Sequence, residues 1–249
     1  MAGAGSFGAA PARAVAPDYP RSAGRRGRVT PAVVDPARPR RGGHALALVC
    51  TLPRSPIDRR EKGASLQPQA LTHIADAARA LIRGESIIIL GSSALLASFP
   101  QLGDSGQILE ASFGADLLVE PYDAELGKLL HESVGENSTF HARTGYYADV
   151  MLPVVTETFP RGWKERLVSL PGCEAARCLD PHDLAAVKLQ AGRAKDLALC
   201  AALLATGRLQ ADLVRERLSE TRLTERMLLV TDQRLKEAIQ MAEEGKRTE

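Results

Sequence analysis

Cysteine and long apolar runs are both scarce in this chain of 249 residues. Its four cysteines form no Cys-x-x-Cys pair; they are Cys50, Cys173, Cys178 and Cys200. Because no secretory apolar segment opens the sequence, we expect free thiols in a cytoplasmic protein. No stretch approaches the ~18 consecutive apolar residues that a membrane-spanning helix needs, so no membrane partner is expected.

A dominant charge is also missing from most of the chain. The net charge of +2 averages two unlike regions. Residues 1–62 contain 12 Lys and Arg against 4 Asp and Glu, whereas the remainder contains 20 against 26. The mild acidity of residues 63–249 gives no support for a nucleic-acid-binding surface there.

Large apolar side chains are rare in residues 1–66, which are dominated by Ala, Arg, Gly and Pro. Such a composition buries too little apolar surface to offset the entropy of ordering, so it predicts a disordered tail. Three other interpretations remain open for this tail. Its arginine clusters at 25–28 and 38–41 could contact nucleic-acid phosphates, the segment could be a transit peptide, or the start codon could be misassigned.

The central stretch, from residue 86 to residue 116, contains the most informative pattern. An amphipathic helix is predicted over 69–83. The apolar run Ser86–Leu90 that follows is typical of a strand buried on both faces. Gly91, Ser92 and Ser93 then form a turn that opens a helix and presents amides and hydroxyls to an anion. A second strand over 115–119 carries Asp116, a carboxylate that is costly to bury unless it is paired, hydrogen-bonded or bound to a metal.

The rest of the sequence predicts a hairpin followed by helices. After a helix over 124–135, a hairpin is expected, with strands over 140–142 and 146–152 and a turn over 143–145. Asp149 lies inside its second strand, between apolar neighbours. Asp180 is a predicted N-cap, with Pro181 in the first helical position, of one helix that continues to about residue 206. Two further helices are predicted over 210–220 and 224–243.

Two isolated carboxylates after a strand-Gly-Ser-helix turn are the parts that metal-assisted phosphoryl transfer needs. Here the sequence resembles the nucleotidyltransferase-like DUF6036 group, distant relatives of the AbiEii toxins of type IV toxin-antitoxin systems. The resemblance covers about residues 69–218. The segments that carry it are GSSALLASFP, GADLLVEP, GYYADVMLP, PRGWKERLV and LDPHDLAAVKLQAGRAKDL.

The resemblance implies an α+β protein with a polymerase-β-like nucleotidyltransferase fold, in which a small mixed sheet with flanking helices is followed by C-terminal helices. The implied division is a tail over 1–66, a nucleotidyltransferase-like core over 67–172 and a helical region over 173–249. Mg²⁺ would be the metal and a nucleoside triphosphate the ligand. Partners would be a protein or RNA acceptor and an antitoxin.

The resemblance also assigns roles to individual residues. Gly91, Ser92 and Ser93 would hold the nucleotide, and Asp116 and Asp149 would be both the catalytic and the metal-binding carboxylates. The basic residues of the K-x4-R-x-K-D pattern would face phosphates from one side of one helix; they are Lys188, Arg193 and Lys195.

Gly114 is where this sequence departs from the family pattern. It stands two residues before Asp116, where a D-x-D pair has its first carboxylate, and glycine has no side chain to bind a metal. Glu110 or Glu120 could substitute only in a different register. The sequence therefore leaves open an active nucleotidyltransferase, a noncatalytic nucleotide-binding or protein-interaction module, and a toxin-antitoxin component.

Simpler structural roles also fit these residues. Asp116 and Asp149 could lie at strand ends in solvent, and Ser92 and Ser93 could simply cap a helix. The three basic residues could form a solvated helix face paired with Asp183 and Asp196. Tyr146, Tyr147 and Trp163 are expected to serve packing alone.

Overall fold

The computed structural model describes residues 66–248, without the side chain of Thr248. The predicted N-terminal tail and Cys50 lie outside the described residues, apart from Leu66. Within this part the architecture is a mixed α+β fold, as expected.

Five strands form one mixed sheet in the described residues: β1 Ser86–Leu90, β2 Gly114–Glu120, β3 Tyr147–Val150, β4 Val168–Ser169 and β5 Ala176–Cys178. Their order across the sheet is β3-β2-β1-β5-β4. β1 runs antiparallel to β2 and parallel to β5. β2 runs parallel to β3, and β4 antiparallel to β5.

Helices surround the sheet and continue beyond it. The α-helices, in chain order from α1 to α7, are Pro68–Arg79, Ala124–Val134, Thr139–Thr144, Pro181–Ala191, Ala194–Ala205, Ala211–Ser219 and Glu225–Thr248. Short 3₁₀ helices span Ser92–Ala97, Pro100–Gly103, Pro153–Thr158 and Lys164–Arg166. None of the helices in residues 66–248 is both long and apolar enough to cross a bilayer.

The centre of the core is β1, whose position explains its composition. This strand has a neighbour on each side, and Ile87 to Leu90 are all at most 3% exposed. A strand covered on both faces needs apolar side chains at successive positions, which is why the run does not alternate. The sequence predicted the bounds of this strand and its burial correctly.

The predicted hairpin over 140–152 is wrong. Residues Thr139–Thr144 form helix α3, whose N-cap Ser138 accepts a hydrogen bond from the backbone N–H of His141. Gly145, with φ of 83°, ends the helix in the left-handed conformation that glycine adopts without strain. The chain then enters β3, which pairs with β2 in parallel. A capped helix therefore replaces the first strand of the hairpin.

The single helix predicted to continue to residue 206 is also wrong, because it breaks after Ala191. Gly192 takes a φ of 63°, and Arg193 is extended before α5 begins. The guanidinium of Arg234 on α7 lies against Gly192 and donates hydrogen bonds of 2.8 Å to the carbonyls of Leu189 and Gln190. The last carbonyls of α4 are thus satisfied by a side chain from a distant helix. The predicted N-cap at its other end is confirmed, since Asp180 accepts from the amides of His182 and Asp183.

Candidate functional site

Asp116 and Asp149 lie side by side on neighbouring strands. They are direct register partners in the parallel pair β2–β3. Partners in adjacent strands stand about 4.8 Å apart, and their side chains project from the same face of the sheet. The two carboxylates that the sequence singled out are therefore brought together on one face.

Gly91 fits against the carboxylate of Asp116. A Cβ atom at Gly91 would collide with Oδ2 of Asp116 and lie 2.9 Å from its Cγ. Gly91 also has a φ of 62°, which L side chains rarely adopt. The turn after β1 thus needs glycine for its backbone conformation and for its contact with Asp116.

The two serines of the turn differ in accessibility. Ser92 is half-buried at the start of the 3₁₀ helix, whereas Ser93 is 2% exposed. The Ser93 hydroxyl donates to the carbonyl of Leu90 at 3.4 Å, and no side chain caps the 3₁₀ helix at its N-cap position. Ser92 is therefore the more accessible serine, and the Ser93 hydroxyl is engaged with the backbone of β1.

The three predicted basic residues approach Asp116 from two helices, and they do not share one helix face as predicted. Lys188 is on α4, Arg193 stands at the break, and Lys195 is in the first turn of α5. The charges of all three lower the pKa of Asp116 against the effect of its burial. The structure therefore gathers them near Asp116 although the helix that was expected to carry them is broken.

Asp196 holds two of these cations in place. This residue is 1% exposed. Its carboxylate lies 3.2 Å from Nζ of Lys188 and accepts a 2.6 Å hydrogen bond from Nε of Arg193. Burial alone would raise the pKa of Asp196, but the Arg193 hydrogen bond and the charge of Lys188 hold it below its usual value. Asp196 is therefore an organising residue. The resemblance placed it in the K-x4-R-x-K-D pattern, and the alternative was a solvated ion pair, which its burial contradicts.

Electrostatic repulsion and burial act on both sheet carboxylates. Burial raises the pKa of Asp116, and the charge of Asp149 adds to the rise against the opposing cations. Burial also raises the pKa of Asp149, together with the charge of Glu136. A bound cation would favour the ionised form of both carboxylates, because its positive charge offsets the repulsion between them.

Gly114 is covered by the ring of Tyr147, its register partner in β3. A Cβ atom at Gly114 would lie 3.0 Å from Cζ of Tyr147 and 3.2 Å from its hydroxyl oxygen. The space of a first D-x-D carboxylate is therefore filled by a phenol. Burial raises the pKa of Tyr147, and so do the charges of Asp149, Glu136 and Asp116.

An open cleft of about 610 Å³ lies beside Asp149 and Tyr147. Its walls include the exposed ring of Phe113 and a His141–Tyr147 pair with ring centroids 4.8 Å apart. Glu136 adds a second carboxylate to the lining. Phe113, Glu136 and His141 were not predicted as site residues, and only a packing role was predicted for Tyr147. Tyr147 stands two residues before Asp149, as Gly114 stands two before Asp116.

Neither glutamate that could have replaced the missing carboxylate lies free for that role. Glu110 accepts hydrogen bonds from the Ser105 hydroxyl at 3.0 Å and from the Gly106 amide at 2.8 Å. Glu120 forms a 2.7 Å ion pair with Lys164. Both side chains are engaged in local contacts.

The remaining motif residues build a structural network. Asp183 is fully buried and accepts two hydrogen bonds of 2.9 Å from Arg166. Nε of Arg217 lies 3.3 Å from the same carboxylate.

Trp163 packs on Phe159, and the Tyr146 hydroxyl lies 2.7 Å from Nδ1 of His73. These contacts agree with the packing roles expected for Trp163 and Tyr146.

The fit to a metal rests on two carboxylates. Within residues 66–248, no cluster of three or more His, Cys, Asp or Glu side chains could bind a metal ion by itself. Mg²⁺ commonly binds through one or two carboxylates together with substrate phosphates and water, and the Asp116–Asp149 pair suits that mode.

No protein-family model, curated protein or solved structure matches the chain significantly.

Proposed function

We propose that this protein binds a nucleoside triphosphate with Mg²⁺ in a nucleotidyltransferase-like site that serves transfer of a nucleotidyl group to a hydroxyl of protein or RNA. The observation that carries the proposal is the pairing of Asp116 with Asp149 on one sheet face, with three cations whose charges act on Asp116. A polymerase-β-like nucleotidyltransferase fold is part of the proposal. Its support is the order of a strand, a glycine turn, an antiparallel strand with one carboxylate and a parallel strand with the other.

The phosphate end of the ligand belongs on the side of Gly91. The turn after β1 offers backbone amides and the Ser92 hydroxyl, and the cations at the α4–α5 break offset negative charge. Asp116 and Asp149 would hold Mg²⁺, which when bound offsets phosphate charge and orients the phosphates. Asp149, next to the open cleft, is placed to accept a proton from an incoming hydroxyl.

The test is calorimetry of the full chain with ATP, CTP, GTP and UTP, each with Mg²⁺. Lys195→Gln should weaken binding about 10- to 100-fold, because a charge-assisted hydrogen bond contributes about 1.5–3 kcal/mol. Lys128→Gln is the matched control, since Lys128 is an exposed lysine paired only with Glu132 at 4.0 Å. Equal affinities for both variants would contradict the proposed phosphate site.

One specific observation favours a second function, a noncatalytic nucleotide-binding module. The first D-x-D position is glycine and is closed by the Tyr147 ring. A transfer assay with α-labelled nucleotides separates the two functions. Nucleotide binding without transfer would support the noncatalytic module. Absence of both binding and transfer would contradict both proposed functions.

A further inference from the structure

The Tyr147 hydroxyl occupies the place that a carboxylate at position 114 would take. Its oxygen is 3.2 Å from where a Cβ would stand on Gly114. Because the two residues are register partners, the phenol reaches from β3 over β2. A side-chain oxygen is thus present at this point of the site, but it is the hydroxyl of a tyrosine.

The same end of the sheet carries the proposed phosphate-binding turn. β1 and β2 are antiparallel, and Leu90, the last residue of β1, pairs with Asp116. Beyond Leu90 the chain therefore runs past Asp116 toward the level of Gly114. Gly91, Gly114 and Tyr147 lie at the same end of three adjacent strands, so phosphates held at the turn would be close to the phenol.

Tyr147 lines the open cleft, whereas its neighbour Tyr146 is buried and hydrogen-bonded to His73. Within residues 66–248, the Tyr147 hydroxyl has no hydrogen-bond partner, and the residue lines the open cleft. The Tyr146 hydroxyl is bound to His73, and Tyr146 is 6% exposed. Two adjacent tyrosines thus provide one candidate acceptor and one internal control.

The charge of the cleft disfavours a polyanionic acceptor. Among the described residues, its lining includes Glu136 and Asp149 and contains no Lys or Arg. An RNA backbone would bring further negative charge next to these carboxylates without a compensating cation. A hydroxyl already fixed in the cleft avoids that repulsion and needs no separate binding step.

We propose that Tyr147 is itself the acceptor and that the protein nucleotidylates its own chain at this residue, an inference that rests on the proposed function. The phenolic oxygen of Tyr147 forms a bond to the α-phosphorus of the nucleoside triphosphate. The bond from the α-phosphorus to the bridging oxygen breaks, and pyrophosphate leaves. The phenolic proton passes to water in the open cleft that Tyr147 lines. Tyr147 offers one hydroxyl, so each chain is modified once.

The experiment incubates the full-length protein with each α-labelled nucleoside triphosphate and Mg²⁺, followed by digestion and mass spectrometry. One nucleotide per chain is expected, on the peptide that contains Tyr147. Tyr147→Phe keeps the ring over Gly114 and should lose the label while it still binds nucleotide by calorimetry. Tyr146→Phe should keep the label, and thermal unfolding verifies that both variants are folded.

The possible failures are distinguishable. Nucleotide binding without label on the wild-type chain overturns self-modification and leaves the proposed binding function intact. Absence of binding overturns both. Label that persists in Tyr147→Phe shows another acceptor, and a labelling rate per chain that rises with protein concentration shows transfer between chains; either result overturns the intramolecular geometry.

Discussion

Two glycines at this site are required because neighbouring side chains lie too close to their backbone to leave room for a Cβ atom. Gly91 leaves room for the Asp116 carboxylate, and Gly114 leaves room for the Tyr147 ring. From the sequence, Gly91 was recognisable because a glycine after a buried strand indicates a sharp turn. The role of Tyr147 was not, because the predicted hairpin placed β3 beside the wrong partner.

Gly91→Ala should destabilise the protein by more than a comparable substitution elsewhere. The alanine must adopt a φ of 62° and also displace Asp116. Strained backbone alone costs of order 1–3 kcal/mol, and the collision adds to it. Gly207→Ala is the control, since its φ is 68° but a Cβ there would meet nothing within 4 Å. Urea unfolding that gives equal losses for the two variants would refute the contact with Asp116.

Asp116→Asn should raise the Tm near neutral pH and change it little near pH 3.8. Burial, and then the charge of Asp149, raise the pKa of Asp116 above its usual 3.8 in the folded state. The folded state therefore binds the proton more tightly than the unfolded state, and stability falls as pH rises from 3.8 through the folded pKa. Asparagine, which is never ionised, avoids this loss.

Asp232→Asn supplies a control of opposite sign for this pH dependence. The hydrogen bond from Lys236 lowers the pKa of Asp232, so its contribution to stability is present above pH 3.8 and is lost as pH falls through the folded pKa. This variant should lower the Tm slightly near neutral pH. Thermal unfolding across pH that shows the same sign for both substitutions would contradict the assigned shifts.

At the scale of elements, strands and helices with strong local signals were predictable, and those defined by tertiary contacts were not. The bounds of β1, Ser86–Leu90, were predicted correctly, because a central strand that is covered on both faces needs a continuous apolar run such as Ile87 to Leu90. The three residues of β5 have no pattern of their own and become a strand only through pairing with β1. The break at Gly192 was not predicted, because strong helix formers stand on both sides of it. Arg234 from α7 stabilises this break.

Asp196→Ala should be among the most destabilising substitutions in the α4–α5 region. It leaves Lys188, whose side chain is 12% exposed, without its carboxylate, and it frees Arg193. Removal of one partner from a buried ion pair typically costs about 3–5 kcal/mol. The Asp196 carboxylate is 2% exposed, whereas that of Asp212, in a 2.8 Å pair with Arg215, is 97% exposed.

Asp212→Ala is therefore the matched control, with an expected loss below about 1 kcal/mol. Urea unfolding measures both losses. Calorimetry should also show weaker nucleotide binding for Asp196→Ala alone, because its cations are no longer held near Asp116. Similar stability losses for the two variants would mean that Asp196 is not an organising residue.

At the scale of the whole molecule, Leu66 is a core residue that lies before the first helix. Leu66 is fully buried, and its amide donates a 2.9 Å hydrogen bond to the carbonyl of Ser112. The carbonyl of Gln67 accepts from the amides of Ala70 and Leu71 at the start of α1. These two residues therefore join the first helix to the segment that leads into β2. Their composition resembles that of the preceding tail, so no sequence pattern marked them as core.

A chain that starts at residue 64 retains Leu66 and its hydrogen bond to Ser112 and is the reference for this test. A chain that starts at residue 68 should lose roughly 2–5 kcal/mol, since a buried leucine and the backbone contacts at the N-terminus of α1 disappear together. Leu66→Ala in the full-length chain separates the side chain from the backbone and should account for most of that loss. Leu229→Ala, at a leucine that is 74% exposed, should leave stability nearly unchanged. If the chain from residue 68 is as stable as the chain from residue 64, then Leu66 does not belong to the core and the boundary falls at α1.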